Sequence, residues 1–275
     1  ALVRSGFGRD SYLVSPGLYA VGAPGPETPV LVTANYKLTF DVLRKELEGR
    51  SFWILACDTR GVNVWCAAGK KTFSTDEVIR MARKTRLGEF LDGSVLVLPQ
   101  LGAVGVSART VTKETGIKAR FGPIKASDIP AFADAGLACS DAMRKATFTL
   151  AERMVLAPNE ITYFLSKLHL AYPLLFVLSG IGMSIFSLSQ AWERSLVALA
   201  AYLAGVLAGS ALSVALLRWL PTPLFAVKGA VPGLLVGLGV GLWLGGHVLE
   251  IIALTLFTAA VSSWACLGFT GSTPY

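Results

Sequence analysis

The sequence predicts an α/β domain with a parallel, doubly wound sheet, followed by an all-α membrane domain. Charge is uneven: residues 1–168 hold 22 of the 25 Lys and Arg residues and 16 of the 18 Asp and Glu residues. β-rich and helical runs alternate through the first part, as in parallel sheets. The second part has uncharged apolar stretches long enough to span a bilayer. The hydrophobic content of 53% and the mean hydropathy of +0.57 exceed those of ordinary soluble domains.

Short apolar or β-branched runs bounded by turn residues predict four strands, and periodic polar–apolar runs predict the helices between them. The predicted strands are 29–36, 51–58, 94–99 and 117–123, and the predicted helices are 39–49, 75–87, 107–116 and 128–136. Ser74 and Glu77 have the spacing of a capping box, and Ser127 is predicted to cap the last helix.

Ligands of doubly wound sheets bind outside the carboxyl ends of the strands. The loops expected to form a site are therefore 33–37, 58–63, 99–105 and 122–128.

Four apolar stretches predict four membrane spans, because a buried soluble core seldom contains four such stretches in a row. The predicted spans are 170–190, 196–217, 229–246 and 251–270. The predicted domains are thus 1–155, a linker at 156–169, and the membrane domain at 170–275. Glycines recur every four residues from Gly233 to Gly245, and this spacing is interpreted as close packing of helices within the chain rather than as a dimer interface.

The few charges near the spans predict the orientation. The loop with Arg218 and Lys228 is expected in the cytoplasm with the first domain, and the loop with His247 and Glu250 outside. The basic excess near the first span suits a domain that lies against anionic lipid. No basic run with interleaved aromatic residues appears, so nucleic acid is not an expected partner. The first 26 residues are too polar and too rich in Gly and Pro for a signal peptide.

The cysteines form no CxxC pair, which argues against disulfide frameworks and against zinc or iron–sulfur sites. A reducing, cytoplasmic setting fits best. Both histidines, His169 and His247, lie outside the first domain, so its chemistry must run without imidazole.

The stretch NVWCAAGK, residues 63–70, suggests a reactive or metal-binding thiol. If Asn63 caps a helix, Cys66 lies in the first turn, where the helix dipole stabilises a thiolate, and Lys70 follows one turn later. Ala67, Ala68 and Gly69 would leave the surface of that turn nearly bare, so that a flat group could lie against it.

Packing beside Trp65 is the alternative interpretation of Cys66, as packing is for Cys57 within its apolar strand. A nucleophilic cysteine would need a base, and a thiol–disulfide enzyme would need a second cysteine nearby. A thiolate ligand to a cofactor metal needs only one cysteine, and it is the favoured chemistry.

NVWCAAGK resembles the cap-helix motif of the corrinoid protein of the microbial mercury-methylation pair. Most of the other matching segments also resemble the corrinoid domain of the corrinoid iron–sulfur protein large subunit. The matching segments are 16–22, 29–47, 97–106, 120–132 and 269–275.

This resemblance implies a Rossmann-like domain that binds cobalamin in its base-off form, with Cys66 as the lower axial ligand of cobalt. It also implies a further span beyond Tyr275. The residues it assigns to cofactor binding are Thr33, Asn63, Val64, Trp65, Cys66, Ala67, Ala68, Gly69, Lys70, Gln100, Leu101, Gly102, Gly122 and Pro123.

The resemblance further implies a membrane-anchored methyltransferase of the cytoplasmic membrane. A methyltetrahydrofolate-type donor would methylate the cobalt, and methyl-cobalt(III) would pass the methyl group to Hg(II), forming methylmercury. The thiolate opposite the methyl group is expected to favour carbanion character. The implied reductant is a ferredoxin-like protein with two [4Fe–4S] clusters.

Two other functions remain open. A membrane-anchored corrinoid methyl carrier of one-carbon metabolism would use a different acceptor. A transporter with a regulatory domain is disfavoured, because the spans have almost no polar groups to line a pathway.

Overall fold

The computed structural model describes residues 12–182, 185–220 and 222–270. The chain forms two compact units, which meet in sequence between Thr147 and Phe148. The first 26 residues were predicted not to be a signal peptide, and residues 1–11 of this segment lie outside the described residues. So do residues 271–275 of the C-terminal matching segment.

The first unit, here called the sheet unit, contains a five-stranded sheet and six helices. Its strands are β1 (Gly17–Val21), β2 (Val30–Ala34), β3 (Phe52–Cys57), β4 (Val95–Leu98) and β5 (Lys118–Phe121). Its helices are α1 (Lys37–Glu46), α2 (Val64–Gly69), α3 (Thr75–Lys84), α4 (Leu87–Phe90), α5 (Ala108–Thr115) and α6 (Ile129–Asp134).

The strand order is β1-β3-β2-β4-β5, and β2 to β5 are parallel, as predicted. The sheet is nevertheless mixed, because β1 pairs antiparallel with β3 at one edge. Strand β1 was not predicted. It has only five residues, none of them fully buried, and it lies next to Gly- and Pro-rich segments.

Apolar cores cover both faces of this sheet, so the helices lie on two sides as the doubly wound prediction requires. Leu55 packs with Val78 and Met81 of α3 on one face. Its neighbour Ile54 packs with Phe40 of α1 on the other face, in a core that also contains Phe132 of α6. Adjacent strand residues point to opposite faces of a pleated sheet, which explains this separation.

The two predicted helix caps have different outcomes. Ser74 caps α3, and its hydroxyl accepts a 3.3 Å hydrogen bond from the backbone N–H of Glu77. The Glu77 carboxylate accepts instead from the backbone N–H of Asp58 at 2.7 Å, so the predicted reciprocal half of the box is wrong. The prediction for Ser127 is also wrong, because a short 3₁₀ turn at residues 126–128 precedes α6.

The second unit, here called the helical unit, consists of helices and one short hairpin. It contains α7 (Leu150–Met154), α8 (Ala157–Ser166), α9 (Leu168–Gly180), β6 (Ile181–Gly182), β7 (Ile185–Phe186) and α10 (Leu188–Leu207). A π-helical turn (Ala208–Leu212) leads into α11 (Ser213–Leu216), and α12 (Phe225–Leu244) and α13 (Val248–Leu267) follow.

Three helices in the described residues are long and apolar enough to cross a bilayer: Leu188–Leu216, α12 and α13. A fourth crossing would be the pair Leu150–Ser166 and Leu168–Gly180, which bends by 53°. Most residues of the predicted linker 156–169 are helical. The predicted first span, 170–190, is not a single helix in the structure, because α9 ends at Gly180.

Contacts along α10 show that the bent pair runs antiparallel beside it. Near the bend, the Tyr202 hydroxyl donates to the carbonyl of Phe164 at 3.1 Å. Further along, the Tyr172 and Ser195 hydroxyls lie 3.4 Å apart. The bend therefore does not separate this pair from the helix bundle.

Glycines let the helices of this unit approach closely, as predicted. A Cβ atom at Gly233 would lie 2.6 Å from Ser262 Cβ of α13, and one at Gly237 would lie 2.7 Å from the carbonyl of Thr255. The Ser262 hydroxyl also donates to the carbonyl of Gly229 at 2.7 Å. The glycine spacing is thus used within the chain, which is the predicted intramolecular packing.

Two buried cations cap the C-terminal end of the helix Leu188–Leu216. Arg153 Nη1 donates to the carbonyls of Val214 and Ala215 at 3.2 and 3.4 Å, and Lys228 Nζ donates to that of Leu217 at 3.3 Å. The last carbonyls of a helix lack intrahelical donors and carry partial negative charge, so cations stabilise this end.

Candidate functional site

The carboxyl ends of β2 to β5 meet at one edge of the sheet, and the four loops expected to form a site lie there. Hydrogen bonds hold two parts of this edge together. The backbone N–H of Thr59 donates to Asn35 Oδ1 at 3.0 Å, and that of Gly122 donates to the Leu98 carbonyl at 2.8 Å. The loop 33–37 thus holds the loop 58–63, and the loop 122–128 is held to the end of β4.

Helix α2 begins at this edge directly after the loop 58–63. Asn63 caps it as predicted, and its Oδ1 accepts a 2.9 Å hydrogen bond from the backbone N–H of Cys66. Cys66 is thus the third helical residue, in the first turn, and its side chain is half-buried.

The two faces of α2 differ from the prediction. Val64, Ala67 and Ala68 share one face, at a spacing of three and four residues, and their side chains are buried in the core. The predicted bare surface is therefore not formed by the alanines. Cys66 and Gly69 share the other face, where a Cβ atom at Gly69 would have no atom within 4 Å. Trp65 is half-buried, and Lys70 is exposed.

The loop after β4 lies against Ala68, which leaves little room for a larger side chain there. A Cβ atom at Gly105 would lie 3.2 Å from Ala68 Cα and 2.5 Å from the carbonyl oxygen of Phe73. One at Gly102 would lie 2.7 Å from the Phe73 ring, and one at Gly122 would lie 2.6 Å from Val97. These positions serve packing of the edge, so no close approach of a ligand is needed to explain Gly102 and Gly122.

The other residues predicted to bind a cofactor are spread along the same edge. Thr33 is only 3% exposed and lies inside β2 rather than in the loop that follows it. Pro123 is buried, whereas Gln100 and Leu101 are half-buried in the 3₁₀ turn after β4. Oε1 of Gln100 is buried and has no hydrogen-bond partner, an arrangement that is costly unless a donor reaches it.

The other cysteine at this edge is chemically different from Cys66. Cys57 is fully buried at the end of β3 and belongs to the apolar core, which confirms its interpretation as a packing residue. Burial, reinforced by the negative charge of Glu77, raises the pKa of its thiol well above the ordinary value. No group of three His, Cys, Asp or Glu residues in the described part of the chain could hold a metal ion by itself.

A charged cleft of about 330 Å³ lies between the loop after β3 and the start of α3. Its lining residues are Asp58, Arg60, Lys71, Thr72, Ser74, Asp76, Glu77 and Arg80. The acidic and basic groups are equal in number, so the cleft has no net preference for one sign of charge.

The sheet unit is similar in sequence to known corrinoid proteins and to their relatives. Residues 9–133 match the family of the CO dehydrogenase/acetyl-CoA synthase delta subunit, CdhD. The acetyl-CoA decarbonylase/synthase complex subunit gamma of Archaeoglobus fulgidus is 32% identical over 118 residues, 42% of this chain and 25% of that protein. The corrinoid/iron–sulfur protein large subunit of Moorella thermoacetica is 32% identical over 127 residues, 46% of this chain and 28% of that protein.

The subunit gamma of Methanopyrus kandleri gives a similar match, 31% identical over 126 residues, 45% of this chain and 27% of that protein. The chain thus spans about a quarter of the length of these curated relatives. The family match ends at residue 133, before the helical unit begins.

Sequence reasoning missed one residue that organises this edge. Asn35 is 2% exposed, and its Oδ1 accepts backbone hydrogen bonds from both Thr59 and Gly61. The loop 33–37 was expected to form part of the site, but without a role for Asn35. An asparagine directly after a buried strand was the available signal, since its amide can hold a neighbouring backbone.

Proposed function

We propose that this chain is a membrane-anchored corrinoid protein that carries a methyl group and transfers it to an acceptor. One observation carries the proposal: a half-buried Cys66 lies beside the open space at Gly69, at the carboxyl edge of a sheet unit that matches corrinoid proteins. Rossmann-like folds bind their cofactors at the carboxyl ends of the parallel strands.

The residues present fit a corrinoid. The face formed by Cys66 and Gly69 would hold the flat ring, and the Cys66 thiolate would be a ligand of its cobalt. No histidine occurs in residues 12–147 to compete as the ligand. The buried Oε1 of Gln100 could accept a hydrogen bond from an amide at the edge of the ring.

When bound, the corrinoid would supply a cobalt centre that accepts a methyl group and gives it up. The chain's own part would be to hold a soft, electron-rich donor, the Cys66 thiolate, near the cobalt. The first turn of α2 is suited to this, because Asn63 fixes the backbone of Cys66. Soft thiolates are good ligands for transition metals of this class.

Membrane anchoring is the second part of the proposal. The three long apolar helices and the bent pair support four spans, with boundaries about 150–180, 188–216, 225–244 and 248–267. Many of their large apolar side chains are exposed, as Leu235, Trp243 and Leu249 illustrate, which suits contact with lipid. The end that carries Arg153, Arg218 and Lys228 would face the cytoplasm.

The acceptor is the finer part of the proposal. Hg(II) is proposed as the substrate because NVWCAAGK resembles the motif of the mercury-methylating corrinoid protein. The comparisons support the broader role of a methyl carrier more strongly, because the matched relatives carry acetyl-CoA decarbonylase/synthase and corrinoid/iron–sulfur names. A carrier of one-carbon metabolism with a different acceptor is therefore the second candidate.

The proposed partners follow from this chemistry. A methyltetrahydrofolate-type donor system would supply the methyl group. An external reductant, proposed as a ferredoxin-like protein with two [4Fe–4S] clusters, would restore the cofactor. The chain itself offers too few clustered cysteines for such a centre.

The test is to load the full chain, in detergent, with methylcobalamin and to add Hg(II). Methylmercury should form with the wild-type chain and with Cys139→Ala, which removes a half-buried cysteine from another part of the sheet unit. Cys66→Ala should bind less corrinoid and lose the transfer. Transfer to a thiol or a nickel complex, but never to Hg(II), would favour the second candidate. A chain that retains no corrinoid at all would overturn both.

A further inference from the structure

We infer that Asn35 is a positioning residue: it fixes the loop that carries α2 and thereby sets the position of the Cys66 thiol at the sheet edge. This inference rests on the proposed corrinoid function. Asn35 does not lie on the open face of α2, so its effect on a ligand there would be exerted through the loop 58–63.

Asn35 is held firmly on its own side. Its backbone N–H donates to the carbonyl of Cys57 at 2.9 Å, and its carbonyl accepts from the N–H of Val14 at 2.9 Å. Its side-chain Nδ2 also donates to the carbonyl of Val14, at 3.3 Å. The side chain is thus anchored before it contacts the loop, and at 2% exposure it has no competing water.

The other end of the same amide holds the loop. Oδ1 of Asn35 accepts from the backbone N–H of Thr59 at 3.0 Å and from that of Gly61 at 3.1 Å. Only an oxygen can accept from two N–H groups, so the orientation of the amide is determined. The Thr59 hydroxyl lies 2.9 Å from the same Oδ1 and 2.6 Å from the Val62 carbonyl, and it shares its proton between them.

The loop needs this support because its backbone is unusual. Arg60 has φ +55° and Gly61 has φ +72°, two consecutive residues in the left-handed region. That region costs a non-glycine residue about 1–2 kcal/mol. The conformation that turns the N–H groups of Thr59 and Gly61 toward Asn35 therefore persists only with partners for them.

A short series of hydrogen bonds then links Asn35 to the site. Val62 N–H donates to the carbonyl of Thr59 at 3.1 Å, and Asn63 follows directly as the cap of α2. Asn63 Oδ1 in turn holds the backbone N–H of Cys66. A displacement at Thr59 would thus pass to Cys66 with little flexible chain between them.

Three variants of the full chain in detergent test this inference. Asn35→Ala removes the acceptor and leaves two buried N–H groups without a partner. Thr59→Val removes only the shared hydroxyl, whereas Thr59→Ser keeps it. Ser94→Ala is the control, because Ser94 is 6% exposed and donates to the Thr28 carbonyl at 2.7 Å, at the start of β4 and so at the opposite edge.

Two measurements separate positioning from general destabilisation. The first is the absorption spectrum of bound cobalamin, which reports its axial ligand. The second needs no cofactor: hydrogen exchange at the amides of Thr59, Gly61 and Cys66. Asn35→Ala should change the spectrum in the same direction as Cys66→Ala and speed exchange of these amides by about tenfold or more. Thr59→Val should do so more weakly, Thr59→Ser should resemble the wild type, and Ser94→Ala should change neither.

An Asn35→Ala chain with the wild-type spectrum and wild-type exchange would overturn the inference. If that variant does not fold, the inference fails when Thr59→Val and Thr59→Ser have equal spectra and equal exchange. Loss of the proposed function looks different, since then Cys66→Ala itself would leave the spectrum unchanged. In that case the exchange measurement still decides whether Asn35 holds the loop.

Discussion

The backbone nitrogen of Cys66 lies 2.9 Å from Oδ1 of Asn63 and donates a hydrogen bond to it. The residue that begins α2 therefore also fixes the residue whose thiol lies on the open face of that helix. Capping and positioning of the thiol are one interaction here, so they cannot be altered separately at Asn63. This link gives the motif NVWCAAGK a structural reason for its first residue.

Asn63→Ala should lower both the stability of the sheet unit and its affinity for cobalamin. The lost cap costs about 1 kcal/mol of unfolding free energy. Chemical unfolding and cobalamin titration measure the two effects. Ser107→Ala is the matched control, because Ser107 caps a different helix, α5, through the N–H of Thr110 at 3.3 Å. Equal cobalamin affinity in the two variants would contradict a site on α2.

Substitutions at Gly69 should affect the stability of the chain and its cobalamin binding in different ways. Nothing lies within 4 Å of a Cβ atom there, so Gly69→Ala should raise the stability of the apo chain by as much as about 1 kcal/mol. Gly69→Leu would fill the open face and should weaken cobalamin binding. The same substitution at Gly88, a helical glycine of α4 with equally open surroundings, should leave binding unchanged. Wild-type affinity in Gly69→Leu would place the corrin elsewhere.

Valine substitutions at two glycines of α12 should have different effects on the stability of the helical unit. Gly233→Val would force a side chain against Ala259 and Ser262 of α13 and should destabilise the unit by about 1–3 kcal/mol. Gly239→Val meets open space and should leave thermal unfolding in detergent unchanged. Equal melting temperatures for the two variants would contradict the close packing of α12 on α13.

Cys57 predicts a loss of stability at alkaline pH. Burial, and to a smaller extent the charge of Glu77, raise the pKa of its thiol above the ordinary 9.0 of the unfolded chain. The folded state therefore keeps a proton that the unfolded state releases. This contribution is fully present below about pH 9 and is lost as the pH rises through the folded pKa. Unfolding free energies measured from pH 8 to 11 should fall more steeply for the wild type than for Cys57→Ala, and parallel curves would contradict this assignment.

The parallel part of the sheet was predictable because buried strands and amphipathic helices alternate in the sequence. The cap at Asn63 was predictable for a similar reason, since it depends on neighbours within three residues. The edge strand β1 was not, because its pairing with β3 is long-range and its own five residues have no clear alternation of burial.

The faces of α2 show why the site could not be fully predicted from the sequence. Small residues at positions 67–69 have the same appearance in sequence whether they face a ligand or a neighbouring loop. Only the packing of Gly105 against Ala68 distinguishes the two, and this contact joins residues far apart in the chain. The break after Gly180 was missed because the stretch 170–190 is uncharged and apolar throughout, although Gly180 and Gly182 are residues that often end helices.

We propose that Cys66 is a ligand of the cobalt of a bound corrinoid. The most direct measurement is the absorption spectrum of cobalamin bound to the wild-type chain, to Cys66→Ala and to Cys139→Ala. We expect a thiolate-ligated spectrum for the wild type and for Cys139→Ala, and a different, ligand-free or water-ligated spectrum for Cys66→Ala. Identical spectra for all three chains would contradict it.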